Sequence, residues 1–202
     1  MPTKFAPPER LSATEIATLA GQLRSEILLP WLDGVPVGVL VLNSYRQIVF
    51  CNEAFRQLAQ KELGEVLGLR PGEALGCIHS RQEPGGCGCS ESCRHCGAAL
   101  AILKSLRGEA DCQECRMLRR LEGADIPMDL QVVTRPVDFG GGVFSLLTAV
   151  DIGHEKRLRY LERTMYHDLI NLAGGMNNLA DLMDMDCADH ETMALFAGCT
   201  RR

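Results

Sequence analysis

The chain has 202 residues, of which 46% are apolar, and a formal net charge of -5 at pH 7. That length suits one domain with a real core plus an extension, and the lack of a basic stripe excludes nucleic-acid binding driven by charge. No apolar segment near the N-terminus suits secretion, and the longest apolar run, at 143–150, is far too short for a membrane span, so a cytoplasmic location is expected.

Ser12 or Thr14 caps a first amphipathic helix whose apolar face runs Ile16, Leu19, Leu23 and Ile27 to about Trp31, a region taken as 1–32. Residues 34–42 read as a strand, Asn43-Ser44 as the start of a turn, and 47–51 as the returning strand of a hairpin. Asn52 is placed to cap the short helix opened by Glu53-Ala54-Phe55. A helix follows at 98–107, then strands at 117–121, 126–137 and 143–150, joined by turns at 122–125 and 139–142. Two strands, a helical middle and three strands predict an α+β fold, a five-stranded antiparallel sheet with helices on one face.

The unusual chemistry lies at 76–116. Cys77, Cys87, Cys89, Cys93, Cys96, Cys112 and Cys115 fall there, seven of the ten cysteines. A cytosolic chain argues against a disulfide scaffold and for metal binding or redox sensing. Cys51, Cys187 and Cys199 read as small buried hydrophobes, whereas the loop 84–96 offers no apolar face. Cys93, Cys96, Cys112 and Cys115 match a zinc spacing, but the intervening helix rises about 15 Å and the four residues after it return at most about 13 Å. Cys77, Cys87, Cys93 and Cys96 lie on one side of that helix and form the favoured set. Cys112 and Cys115 are then a separate dithiol, with Cys89, His79 and His95 in reserve. Four thiolates suit zinc or an iron-sulfur cluster equally, and a metal-free thiol switch is the third option.

The strand order, the Asn52-x-x-Phe55 step and the closing Asp151-Ile152-Gly153-His154-Glu155-Lys156 resemble the PAS sensor domain over about residues 30–155. Gly76-Cys77-Ile78-His79 with Cys93-Arg94-His95-Cys96-Gly97-Ala98 resembles a cysteine-rich variant found ahead of some bacterial histidine kinases. The resemblance implies a PAS-like domain at 33–152 and a signalling helix in 153–202, with Asp151 capping that helix.

Along the last segment apolar residues recur at Leu158, Leu161, Met165, Leu169, Leu172, Met176, Leu179 and Met183, a coiled-coil seam with a stutter across His167. Met165 and Leu169 face the seam, so His167 lies off it. A first long helix is expected to end near Asp184, and a second to begin at Asp189. His167-Asp168-x-x-Asn171 resembles the phosphoacceptor box of dimeric two-component sensor histidine kinases. It implies that His167 accepts phosphoryl, Asp168 serves as orienting base and Asn171 assists dephosphorylation. The proline common after such a box is replaced by Leu172-Ala173-Gly174-Gly175. An ATP-binding domain is absent from this chain, so ATP and magnesium would act only through a kinase domain supplied elsewhere. The implied partners are that domain, a response regulator, and a second copy joined through the N- and C-terminal helices.

Two attractive motifs are set aside. Asp138-Phe139-Gly140-Gly141-Gly142 is better read as a hairpin turn than as a nucleotide box, and Cys93-Arg94-His95-Cys96 lacks the histidine after the second cysteine that haem attachment requires. The reading is therefore the sensory and dimerisation part of a histidine kinase. The alternative is a metal- or thiol-binding redox module without phosphotransfer.

Overall fold

The computed structural model describes residues 3–24, 29–121 and 123–199, with side chains described to 178 and at Asp181 apart from those of residues 29 and 30. Its contacts divide the chain into two units, Met1–Gly153 and His154–Arg202.

Ser12 opens the first helix, because its hydroxyl accepts from the Glu15 amide while Glu15 reaches back to the Ser12 amide. This reciprocal cap starts α1 (Ala13–Arg24), and α2 (Leu29–Asp33) follows. Where one helix to Trp31 is expected, two helices stand, and Ile27 lies outside the described residues.

The hairpin follows as β1 (Gly38–Leu42) and β2 (Ile48–Cys51). Its turn depends on Asn43, whose side-chain oxygen accepts from the amides of Tyr45 and Gln47. The turn forces Arg46 to φ 66°, a left-handed conformation costing a non-glycine residue about 1–2 kcal/mol.

Asn52 lies at the end of β2 and is fully buried. Its oxygen accepts from the amides of Val39 and Phe55, at 2.8 and 3.0 Å, and its nitrogen donates to the carbonyls of Leu32, Val35 and Val37. One side chain thus caps α3 (Glu53–Ala59) and fixes the entry to β1. Two short helices, α4 (Leu63–Val66) and α5 (Pro71–Ala74), lead to the cysteine-rich segment and α6 (Gly97–Ser105).

The sheet is completed by β3 (Asp111–Leu121), β4 (Ala124–Phe139) and β5 (Gly142–Asp151) in the antiparallel order β2-β1-β5-β4-β3. On one face Leu40, Phe55, Ile102, Leu130 and Leu147 form the main core. On the other, Val41, Val49 and Phe144 pack against Ile16 and Leu23 of α1. β1 is covered on both faces and is buried along its whole length, whereas β3 alternates between buried and exposed positions.

The strands beyond α6 are longer than expected. β3 begins at Asp111, which makes Cys112 and Cys115 strand residues. Nor is 76–116 an appendage without a core, since Ala101, Ile102 and Cys115 belong to the main cluster and Cys89 and Cys93 are buried.

The N-terminal segment closes over the cysteine loop. Amides of Lys4 and Ala6 donate to the carbonyls of Cys89 and Gly88, while Arg10 pairs with Glu73 and donates to the Gly85 carbonyl. Arg46 and Arg70 both donate to the Pro7 carbonyl, and Arg70 also to that of Glu9.

Asp151 accepts from the Gly153 amide at 2.8 Å and so caps α7 (Gly153–Cys199), which runs as one helix. The expected stop near Asp184 is not seen, and residues 184–189 contain no proline or glycine to impose one. No helix among the described residues is long and apolar enough to cross a membrane.

Candidate functional site

A cavity of about 230 Å³ opens between the sheet and the helical layer. Leu40, Leu130, Leu147 and Ala149 give it an apolar wall, and Cys77, Cys87, Cys93, Cys96 and Cys115 also line it. The favoured set of four is therefore gathered on one cavity, with His79 and His95 also lining it.

Close backbone approaches bring these sulfurs in. A Cβ on Gly72 would fall 2.6 Å from the Cys87 sulfur, and one on Gly97 would fall 2.1 Å from the Glu114 carbonyl oxygen. Glycine lets α5 meet the cysteine loop and lets α6 seat directly on β3. Arg70, fully buried, gathers the loop by donating to the carbonyls of Gly85 and Cys87 at 2.7 and 3.0 Å and to the Cys89 sulfur at 3.3 Å. Glu73 accepts from the Cys87 amide at 3.0 Å. Burial pushes the Glu73 carboxyl up, but Arg10 and the amides of Arg70 and Cys87 outweigh it and hold it below the ordinary range.

The alternative set ending in Cys112-x2-Cys115 is not brought together. Positions three apart on a strand point to opposite faces, so Cys115 is buried and Cys112 exposed. For the same reason the two form no dithiol pair. Cys115 instead meets Cys96, with sulfur atoms 3.6 Å apart. This contact draws the Cys96 pKa down to about 6, with burial opposing and the amides of Ala99 and Ala98 assisting. The same contact raises Cys115, and burial raises Cys77 and Cys87. Cys51 is buried, as a small hydrophobe would be, and burial pushes it up to about 11. The side chains of Cys187 and Cys199 lie outside the described residues.

Four thiolates around one zinc, each about 2.3 Å from the metal, lie within about 4 Å of one another. Among the described residues no three of His, Cys, Asp and Glu converge closely enough to hold an ion. The thiols share a cavity without converging on one point.

A thiol attacks only as thiolate. Alkylation of Cys96 by iodoacetamide, followed by mass spectrometry, is therefore expected to rise with pH around a midpoint near 6 and then level off. A midpoint near the ordinary thiol value of about 8.5 would count against the Cys96–Cys115 contact.

On α7, His167 and Asp168 are exposed, and the Asp168 carboxylate lies 3.5 Å from His167 Nδ1. The Asn171 amide nitrogen is 3.1 Å from the same Nδ1 and 3.5 Å from Nε2. The three expected residues thus share one turn of the helix. Leu158, Leu161, Met165, Leu169, Leu172 and Met176 are all exposed, while the side chains of Leu179 and Met183 lie outside the described residues.

Sequence reasoning missed Arg70 and Arg46, because an arginine in a polar loop gives no sign of burial. The pairing of Cys96 with Cys115 was also missed.

An antiparallel sheet in this order, with α3 to α6 over one face, a cavity beneath them and an N-terminal helix on the other face, is a PAS-like fold. A PAS domain family model matches residues 27–92. Among solved structures it is similar to the PAS domain of nitrogen regulation protein NR(II) from Vibrio parahaemolyticus, at 15% identity, 63% of this chain, 99% of that one and a TM-score of 0.45. It is also similar to a PAS domain from a two-component sensor histidine kinase, at 9% identity, 65% and 98% coverage and a TM-score of 0.42. The PAS domain of Bordetella pertussis BvgS matches at 16% identity, 71% and 98% coverage and a TM-score of 0.44. No curated protein matches the chain.

Proposed function

We propose that the chain is the sensory and dimerisation portion of a two-component histidine kinase, in which the state of the cysteine-lined cavity is relayed to His167. The observation that carries this reading is the course of β5. Its Leu147 and Ala149 line the cavity, and its last residue, Asp151, caps the helix bearing His167. A change in the cavity wall is a change in the strand that starts the output helix.

In this reading the Asn171 amide swings off Nδ1 and Asp168 accepts Nδ1–H of His167, which leaves Nε2 unprotonated for attack on a phosphoryl group. Asn171 then positions a water for the reverse reaction. The exposed seam from Leu158 to Met176 pairs with a second copy as a parallel coiled coil, assisted by the N-terminal helices. ATP with magnesium comes from a kinase domain, and the phosphoryl group passes on to a response regulator. A cytoplasmic setting belongs to the proposal, because a reducing compartment keeps the thiols free. Zinc or an iron-sulfur cluster on Cys77, Cys87, Cys93 and Cys96 is the subordinate reading, supported by their shared cavity.

The test is phosphotransfer in trans. With an active ATP-binding kinase domain and labelled ATP, the wild-type chain is expected to gain acid-labile phosphate and His167→Gln to gain none. An unlabelled wild type beside an active donor would remove the phosphoacceptor role.

A further inference from the structure

We propose that Cys96 and Cys115 are a peroxide-responsive dithiol that closes a disulfide between α6 and β3 in the wall of the cavity. Their sulfurs are 3.6 Å apart, against about 2.05 Å in a disulfide, so closure needs a shift of roughly 1.5 Å shared between two side chains. The backbones already touch. Gly97, next to Cys96, lies so close to the carbonyl of Glu114, next to Cys115, that a Cβ would fall 2.1 Å from its oxygen.

Three neighbouring thiols have contacts of their own, and the fourth, Cys77, lines the same cavity. Cys93 faces the Ser90 hydroxyl at 3.2 Å, Cys89 faces Arg70 at 3.3 Å, and the Cys87 sulfur packs against Gly72. Cys96 stands at the N-terminus of a nine-residue helix, where amide groups favour a sulfur anion. It is partly exposed while Cys115 is buried, and both line the cavity. That asymmetry assigns their roles: Cys96 meets the oxidant, and Cys115 resolves.

The Cys96 thiolate attacks one oxygen of hydrogen peroxide and breaks the O–O bond, giving a sulfenic acid and a hydroxide that leaves as water. The Cys115 sulfur then attacks the Cys96 sulfur and displaces its hydroxyl, which takes the Cys115 proton and leaves as a second water. Overall the two thiols lose two electrons and peroxide is reduced. A dithiol reductant restores them by exchange. Each cysteine comes from a different Cys-x2-Cys pair, so the bridge ties the cysteine loop to the edge strand of the sheet. The proposal does not depend on phosphotransfer.

The test uses the full chain, reduced without oxygen, treated with limiting hydrogen peroxide, alkylated, and digested without reductant for mass spectrometry. The expected main product is a Cys96–Cys115 cross-linked peptide, two hydrogens lighter, which dithiothreitol removes. In Cys115→Ser, Cys96 is expected to be trapped by dimedone as sulfenic acid. In Cys96→Ser, peroxide oxidation of Cys115 is expected to fall by about tenfold. Dominance of another bridge, such as Cys93–Cys96, or Cys115 oxidising equally fast in Cys96→Ser, would overturn the proposal. If either variant fails to fold, the wild-type peptide map decides.

Discussion

Replacing Asn52 with alanine is expected to lower the unfolding free energy by about 3–5 kcal/mol, read from urea denaturation, the largest loss from any single polar residue in the sheet. The side chain is fully buried and makes five hydrogen bonds, accepting from Val39 and Phe55 and donating to Leu32, Val35 and Val37. Alanine would strand two amides and the carbonyls of Val35 and Val37 in a site that water cannot easily enter, while the Leu32 carbonyl keeps the Val35 amide. Each unpaired buried group costs about 1–3 kcal/mol, though rearrangement recovers part. Asn52→Asp divides the effect, because a carboxylate keeps both amide partners and loses all three carbonyls. It is expected to cost more than half as much as alanine. A loss below about 1 kcal/mol in Asn52→Ala would show that the network is dispensable.

Arg70→Met is expected to be nearly as damaging, at about 3–5 kcal/mol, and its effect should be centred on the cysteine loop. The guanidinium is fully buried and donates to carbonyls of Pro7, Glu9, Tyr45, Gly85 and Cys87, as well as to the Cys89 sulfur. Methionine fills a similar volume but takes this donor from the carbonyls of Glu9, Tyr45 and Cys87, while Pro7 keeps Arg46 and Gly85 keeps Arg10. Limited proteolysis should then cut within 84–96 well before the sheet is lost. Arg70→Lys should rescue little, because an ammonium has three donors at a single point and cannot span partners on three segments. Equal protection of the loop in wild type and Arg70→Met would refute this role.

These two residues also show what was readable in the sequence. Asn52 was legible because an asparagine at the end of a β-branched run, three residues before Phe55, is a cap in its local context. The succession of two strands, a helical middle and three strands along the chain was legible from hydrophobic periodicity. Arg70 was not, since its partners Pro7 and Glu9 are more than sixty residues away and its neighbours are turn formers. The gathering of Cys77, Cys87, Cys93 and Cys96 could be inferred from their place before α6. The expected dithiol of Cys112 and Cys115 depended on a loop, whereas the chain there is already β3. A strand's two-residue period separates residues that a loop would have brought together, and it turns Cys115 inward to Cys96. His167, Asp168 and Asn171 were legible because their spacing is local to one helix.

The N-terminal segment has a bearing on how the molecule can be divided. Carbonyls of Pro7 and Glu9 complete the coordination of two buried guanidiniums, and the amides of Lys4 and Ala6 pair with the cysteine loop. A piece cut at the start of the family match, residue 27, would keep every strand of the sheet while removing these groups from beneath Arg46 and Arg70. The smallest fragment able to hold the cysteine loop in place is therefore expected to be larger than the segment a family alignment marks out, and to begin at or before Lys4.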